Sequence, residues 1–197
     1  LRLRFPDTMT TRLVTRSGKV SDVANLEIVS VEEAKSVIVI ASCQATDSEE
    51  EKAGSDAKVI QTILALSMMR GSQDVETSDE DDEFCIVAEI FNPTHRRIVS
   101  ETFSDSVVTV DTQDILAKIL VQTSRSIGLS LVYNEILSFD GCEMYFHGDE
   151  WGDVTFGQMA YHFPDGVPMG IRHADRSLTM NPDCAYRMQA DDEILIL

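Results

Sequence analysis

The side chains most able to do chemistry in this 197-residue sequence are its carboxylates. Asp and Glu number 34 against 16 Lys and Arg, a formal charge of −18. Much of that charge lies in two runs, Asp47–Glu51 and Asp74–Glu83. Converging carboxylates bind divalent cations, but the second run lacks the alternating ligands and fixed glycine of a calcium loop. Both runs flank apolar segments and read as solvated loops. Cys43, Cys85, Cys142 and Cys184 contain no Cys-x-x-Cys pair, so neither a zinc site nor a disulfide framework is indicated. His95, His147, His162 and His173 never fall at the i, i+4 spacing of a helical metal site. No Gly-x-Gly-x-x-Gly turn is present, and Gly18, Gly54 and Gly71 stand isolated. A dinucleotide site therefore cannot be built from this chain alone. The acidic balance argues against a nucleic-acid partner, which needs a basic face. It suits a soluble acidic protein or one that collects cations.

The elements that would position these groups alternate. Arg12–Thr15 reads as a short strand. Val20, Val23, Leu26 and Ile28 recur near helical spacing, and Val31–Lys35 adds a helical turn. Val37–Ala41 is a β-branched run suited to a central parallel strand buried on both faces. The clearest helix is Asp56–Met69, capped by Ser55 or Asp56 and closed by Gly71. Phe84–Ile90 reads as a second buried strand. Asn92-Pro93 opens a helix to about Glu101, and Val107–Val110 is a third strand. Asp111–Arg125 is a helix, with Leu129–Leu137 continuing as further amphipathic turns. Beyond Phe139–Gly141 the pattern changes to short strands and turns. Cys142–His147, Val167–Arg172, Leu178–Met180 and Ile194–Leu197 read as strands, bounded by Pro164–Gly166, Asn181-Pro182 and Ala190–Glu193. Trp151, in the loop GDEWGD, is either an interface anchor or a cover for this terminal module. Strand–helix alternation followed by a β-rich segment predicts an α/β fold. Its first part is a partial Rossmann-like parallel sheet over residues 1–140, and its second a small β-rich α+β lobe over 141–197. No stretch reaches the ~18 consecutive apolar residues of a membrane helix.

The order of these segments carries a resemblance. SGKVSDVANLEIVSVEEAKSVIVIAS, followed by SDAK and ILAL, resembles the regulator-of-conductance domain of potassium channels and of potassium-uptake subunits. More narrowly, DILAKILVQTSRSIGLSLVYNEILSFDGCEMYF, HFPDGVPMGI and NPDCAYRMQADDEILIL resemble the Castor/Pollux ion-channel family, from Arg12 to the end. The closing motif NPD-x-x-Y, followed by Asp192-Glu193 and a strand, is the most specific of these marks.

The resemblance implies a cytosolic-side regulatory domain of a membrane protein that conducts cations such as potassium. It implies that the first strands of the sheet lie upstream of Leu1, as the non-Met start also suggests. Such domains assemble as homo-oligomers, dimers or tetramer-based gating rings, and couple to a pore domain elsewhere in the same chain. The resemblance places calcium-binding carboxylates at Asp56 and Glu89, with Phe91 where a further carboxylate would stand. It also places the pairing surface on the helices after the third strand, at Leu116, Leu120, Thr123 and Leu131. The competing readings are a soluble regulatory subunit of a potassium-uptake system and a nucleotide-dependent enzyme fragment.

Overall fold

The computed structural model describes residues 12–44, 46–71, 84–103, 106–138 and 142–197. The acidic run 74–83 lies outside the described residues. The chain divides into two compact units, Leu1–Lys118 and Ile119–Leu197. The division falls within a helix, some twenty residues before the composition shift at Phe139–Gly141.

The first unit opens with a short helix α1 (Val23–Glu27), whose N-cap Asp22 accepts the Ala24 N–H. A single 3-10 turn, Val31–Glu33, follows in place of the expected helical turn. Then come β1 (Ser36–Val39), α2 (Glu49–Gly71), β2 (Cys85–Glu89), α3 (Pro93–Thr102), β3 (Val107–Val110) and α4 (Thr112–Arg125). The three strands form a parallel sheet in the order β1-β2-β3. Arg12–Thr15 is not a strand.

Two sequence expectations change here. Helix α2 begins at Glu49, seven residues before Asp56. Its start is a reciprocal cap: Ser48 Oγ accepts the Glu51 N–H, and the Glu51 carboxylate accepts the Ser48 N–H and hydroxyl. This is the Ser-x-x-Glu capping box, so the acidic run Asp47–Glu51 is largely a helix start rather than a loop, and Asp56 is a helix-interior residue, not an N-cap.

The second change concerns β1. Among the described residues it is the outer strand of the sheet, paired only with β2. Val37 and Val39 pack with Ile63 and Leu66 of α2, Val99 of α3, and Ile86, Ala88 and Val107 in one core. Both crossover helices thus lie on the same face, as right-handed connections between successive neighbouring strands require. The opposite face carries the row Ile38–Val87–Val108. There Ile38 is 70% and Val108 52% exposed.

The second unit contains α5 (Leu129–Ile136), β4 (Tyr145–Gly148), a short helix α6 (Met159–His162), β5 (Pro168–Arg172), β6 (Leu178–Met180) and β7 (Glu193–Ile196). The strands form an antiparallel sheet, β4-β7-β5-β6. Its core gathers Trp151, Phe156, Met159, Ile171, Met188 and Ile194. The His147 ring sits edge-on to both Trp151 and Phe163, at 5.9 and 5.4 Å between centroids.

Candidate functional site

In a parallel sheet every strand ends at the same edge, and α/β folds bind ligands beside that edge. Here the edge is formed by Ala41–Ser42 after β1, Phe91–Asn92 after β2 and Asp111 after β3. A cavity of about 230 Å3 beside it is lined by Glu49, Lys52, Ala53, Phe91, Asn92, Pro93, Asp111 and Gln113.

Asp56 and Glu89 both reach this edge, from opposite sides. Asp56 belongs to α2 and is wholly buried. Its Oδ1 accepts the Phe91 N–H (3.0 Å), and its Oδ2 accepts the Asn92 N–H (3.0 Å) and meets His95 Nδ1 (2.9 Å). Glu89 follows the fully buried Ala88 along β2. By strand alternation its side chain therefore leaves from the helix-free face. Its Oε2 accepts the Ala41 N–H (3.0 Å), and its Oε1 accepts the Thr112 hydroxyl (2.5 Å). The two carboxylates share no partner. Ser55, also buried, completes the stitching by accepting the Ser42 N–H at 2.9 Å.

A divalent cation needs several oxygens free to converge on it. Here the carboxylates of Asp56 and Glu89 are occupied by protein donors, and Phe91 offers only its backbone. Among the described residues, no group of three or more His, Cys, Asp or Glu is placed to hold a metal ion. The residues present do not fit a ready-made cation site.

Asp111 closes the same edge. It caps α4 by accepting the Gln113 and Asp114 N–H groups, and it pairs with Arg96 of α3. Burial works to raise its carboxyl pKa, but the Arg96 guanidinium and the cap bonds prevail, and it lies below the usual carboxylate range.

The second unit has a comparable centre that the sequence did not disclose. Asp192, 3% exposed, meets His173 Nδ1 (2.9 Å) with Oδ1, and accepts the Tyr186 hydroxyl and the Gln189 N–H (both 2.8 Å) with Oδ2. His173 Nε2 meets Thr179 Oγ1 at 2.9 Å, and the Trp151 indole donates to the Asp192 carbonyl. Burial again works to raise the Asp192 carboxyl, but the Gln189, His173 and Tyr186 bonds hold it low. The closing motif thereby acquires a cause. Asn181 takes the left-handed conformation (φ 49°) that asparagine tolerates. Asp183 accepts the Ala185 N–H, and Tyr186 and Asp192 meet across the turn. Trp151 is 7% exposed and covers this lobe rather than standing out as an anchor.

The expected pairing residues lie on α4 and α5, neither of which has a buried residue. Leu116 is 57%, Leu120 61% and Leu131 74% exposed. Thr123 is half-buried, and its hydroxyl returns to the Ile119 carbonyl. Ile115, on the same helix, is exposed as well.

A parallel sheet with both crossover helices on one face, followed by a separate antiparallel sheet, is a mixed α/β, Rossmann-like arrangement. The human SLO3 gating ring has a similar fold, with a TM-score of 0.57 over 92% of this chain and 36% of that one, at 13% identity. Residues 113–197 match the Castor and Pollux family model, described as part of a voltage-gated ion channel. Ion channel POLLUX of Lotus japonicus is 30% identical over all of this chain, and ion channel CASTOR of the same plant 30% identical over 95%. Over its length the chain is thus similar to members of the Castor/Pollux family. It spans 20% of the length of each of these two relatives, which are named as ion channels and not as enzymes.

Proposed function

We propose that this chain is a regulatory domain of a cation channel, lying on the cytosolic side of a membrane protein, and that it works by assembling with copies of itself. No helix among the described residues is long and apolar enough to cross a membrane, so in this reading the pore belongs to another part of the parent protein. The observation that carries the proposal is the apolar surface of α4 and α5. In a chain of charge −18, two consecutive helices keep Leu116, Leu120 and Leu131 in water. Leu116 and Leu120 lie one turn apart on α4, and exposed apolar side chains so placed mark an interaction site, for which a second copy of the chain supplies a match. A ligand gates such an assembly only by binding one assembled state better than the other.

Sedimentation across a range of protein concentrations tests this. The wild-type chain should self-associate, more tightly at higher salt because the acidic copies repel. Leu116→Asp with Leu120→Asp should remain monomeric. A wild-type chain that stays monomeric at every concentration removes the proposal. Calcium is the ligand to titrate beside it. To act at Asp56 and Glu89 it must displace the donors they already hold, and binding heat that disappears in Asp56→Ala and Glu89→Ala would place calcium there. Equal heat in the variants would remove that assignment.

A further inference from the structure

Glu89 ends the middle strand of the sheet, the position from which one side chain can reach the loops of both neighbours. It does so with both oxygens. Oε2 holds the Ala41 N–H, just beyond β1, and Oε1 holds the Thr112 hydroxyl, just beyond β3. Thr112 is the first residue of α4. On a helix, Thr112, Leu116 and Leu120 follow one another at i, i+4 and i+8, a single stripe. The stripe that Glu89 grips at its first residue is the one that carries the exposed leucines.

We propose that Glu89 is a coupling strap. It joins the carboxyl edge of the sheet to the seat of α4, so that a change in the loop after β1 is felt at the helix proposed to carry self-association. The carboxylate that the resemblance assigns to calcium serves here as an internal mechanical link, with protein donors in the place of a cation. Its geometry explains why an acid is required. Two donors, one in the loop after β1 and one at the start of α4, are accepted at once, and a carboxylate offers two acceptor oxygens where an amide offers one. Thr112 contributes only its hydroxyl to the link, so its removal cuts the strap without touching Glu89. This inference rests on the self-association reading only for its second readout.

The test uses the whole 197-residue chain with Thr112→Val, Thr112→Ser and Glu89→Gln. Hydrogen exchange is followed at the Ala41 amide and in the first turn of α4, and self-association by sedimentation. With Thr112→Val, loss of one charge-assisted bond should speed exchange at Ala41, on the far strand, by about tenfold. The same variant should weaken self-association by a similar factor, and Glu89→Gln should do both. Thr112→Ser, which keeps the hydroxyl, should match wild type in both measurements. Unchanged Ala41 exchange in Thr112→Val overturns the strap, whatever the chain's oligomeric state. Faster exchange with unaltered self-association in an associating chain overturns the coupling. A wild-type chain that never associates defeats the proposed function instead, and Ala41 exchange still decides the strap.

Discussion

Asp56 and Asp192 are both almost entirely removed from solvent, and each meets a histidine through Nδ1 at 2.9 Å. They differ in what else they hold. Asp56 takes two consecutive backbone N–H groups from a loop 35 and 36 residues away. Asp192 takes one backbone N–H, from its own turn, together with the hydroxyl of Tyr186. The first carboxylate is a long-range clasp on the ligand edge of a parallel sheet. The second organises side chains around a lobe that packs on its own aromatic core. The same pair of residue types thus does two jobs, and what separates them is whether the donors are main chain or side chain.

The largest expected effect comes from breaking the clasp. Asp56→Ala takes the shared acceptor from two part-buried backbone N–H groups, those of Phe91 and Asn92, and from a histidine, a loss of about 3–4 kcal/mol. Asp192→Ala should cost about 2–3 kcal/mol, because one backbone N–H, that of Gln189, loses its acceptor where Asp56→Ala deprives two. The chain has a single tryptophan, Trp151, in the second unit. Urea unfolding followed by its fluorescence therefore reports Asp192→Ala, while hydrogen exchange over β1 and β2 reports Asp56→Ala. If Asp192→Ala proves the costlier, the distinction between main-chain clasp and side-chain organiser fails.

The second effect is in pH. A carboxyl held below its unfolded value contributes stability that is present above that unfolded value, near 3.9, and lost as pH falls through the lower folded one. Asp192 is held low in the second unit and Asp111 in the first. The tryptophan signal of the wild-type chain should accordingly show stability falling as pH drops below about 4. Asp192→Asn should flatten that fall and leave the acid response over β3 and α4, where Asp111 pairs with Arg96, unchanged. A wild-type slope retained in Asp192→Asn would show that Asp192 is not the group responsible.

Much of the first unit was legible because its signals are local. Asn92-Pro93 caps and opens α3, with Asn92 Oδ1 accepting the Thr94 and His95 N–H groups. Val107–Val110 is a strand and Thr112–Arg125 a helix, close to where the spacing places them. What was misread also has a local cause. Ser48-x-x-Glu51 is a capping box, but its acidic residues resemble a solvated loop. Taking them for a loop moved the start of α2 and turned Asp56 into a cap. The apolar run at β1 reads as buried on both faces because β-branched residues record burial by any neighbour, whereas among the described residues Ile38 stands exposed on the face away from α2 and α3. The Asp192 centre joins residues 173, 179, 186, 189 and 192 through folding of the turn, so no spacing rule finds it. The NPD-x-x-Y motif held one of its members, Tyr186, and Asp192 stands six residues further on before the closing strand, which was the available signal.

The smallest predicted effect tests the histidines alone. His173 is held on both nitrogens, by Asp192 and Thr179, and its side chain is 23% exposed. His95 is held by Asp56 on one nitrogen and is 33% exposed. His173→Gln should therefore cost about 1 kcal/mol and His95→Gln about half of that, since one ordinary hydrogen bond nets about 1 kcal/mol and exposure reduces it. The order matters more than the sizes. Asp56 keeps its two backbone donors when His95 is replaced, so the clasp should survive, with hydrogen exchange at Phe91 and Asn92 near the wild-type rate. Asp192 loses one of its two side-chain partners when His173 is replaced, and Thr179 loses its partner too, so the strain should spread to the β5–β6 pairing. Slow exchange preserved across β5 and β6 in His173→Gln, together with a loosened Phe91–Asn92 loop in His95→Gln, would invert the comparison and make the histidine, not the main chain, the essential partner of Asp56.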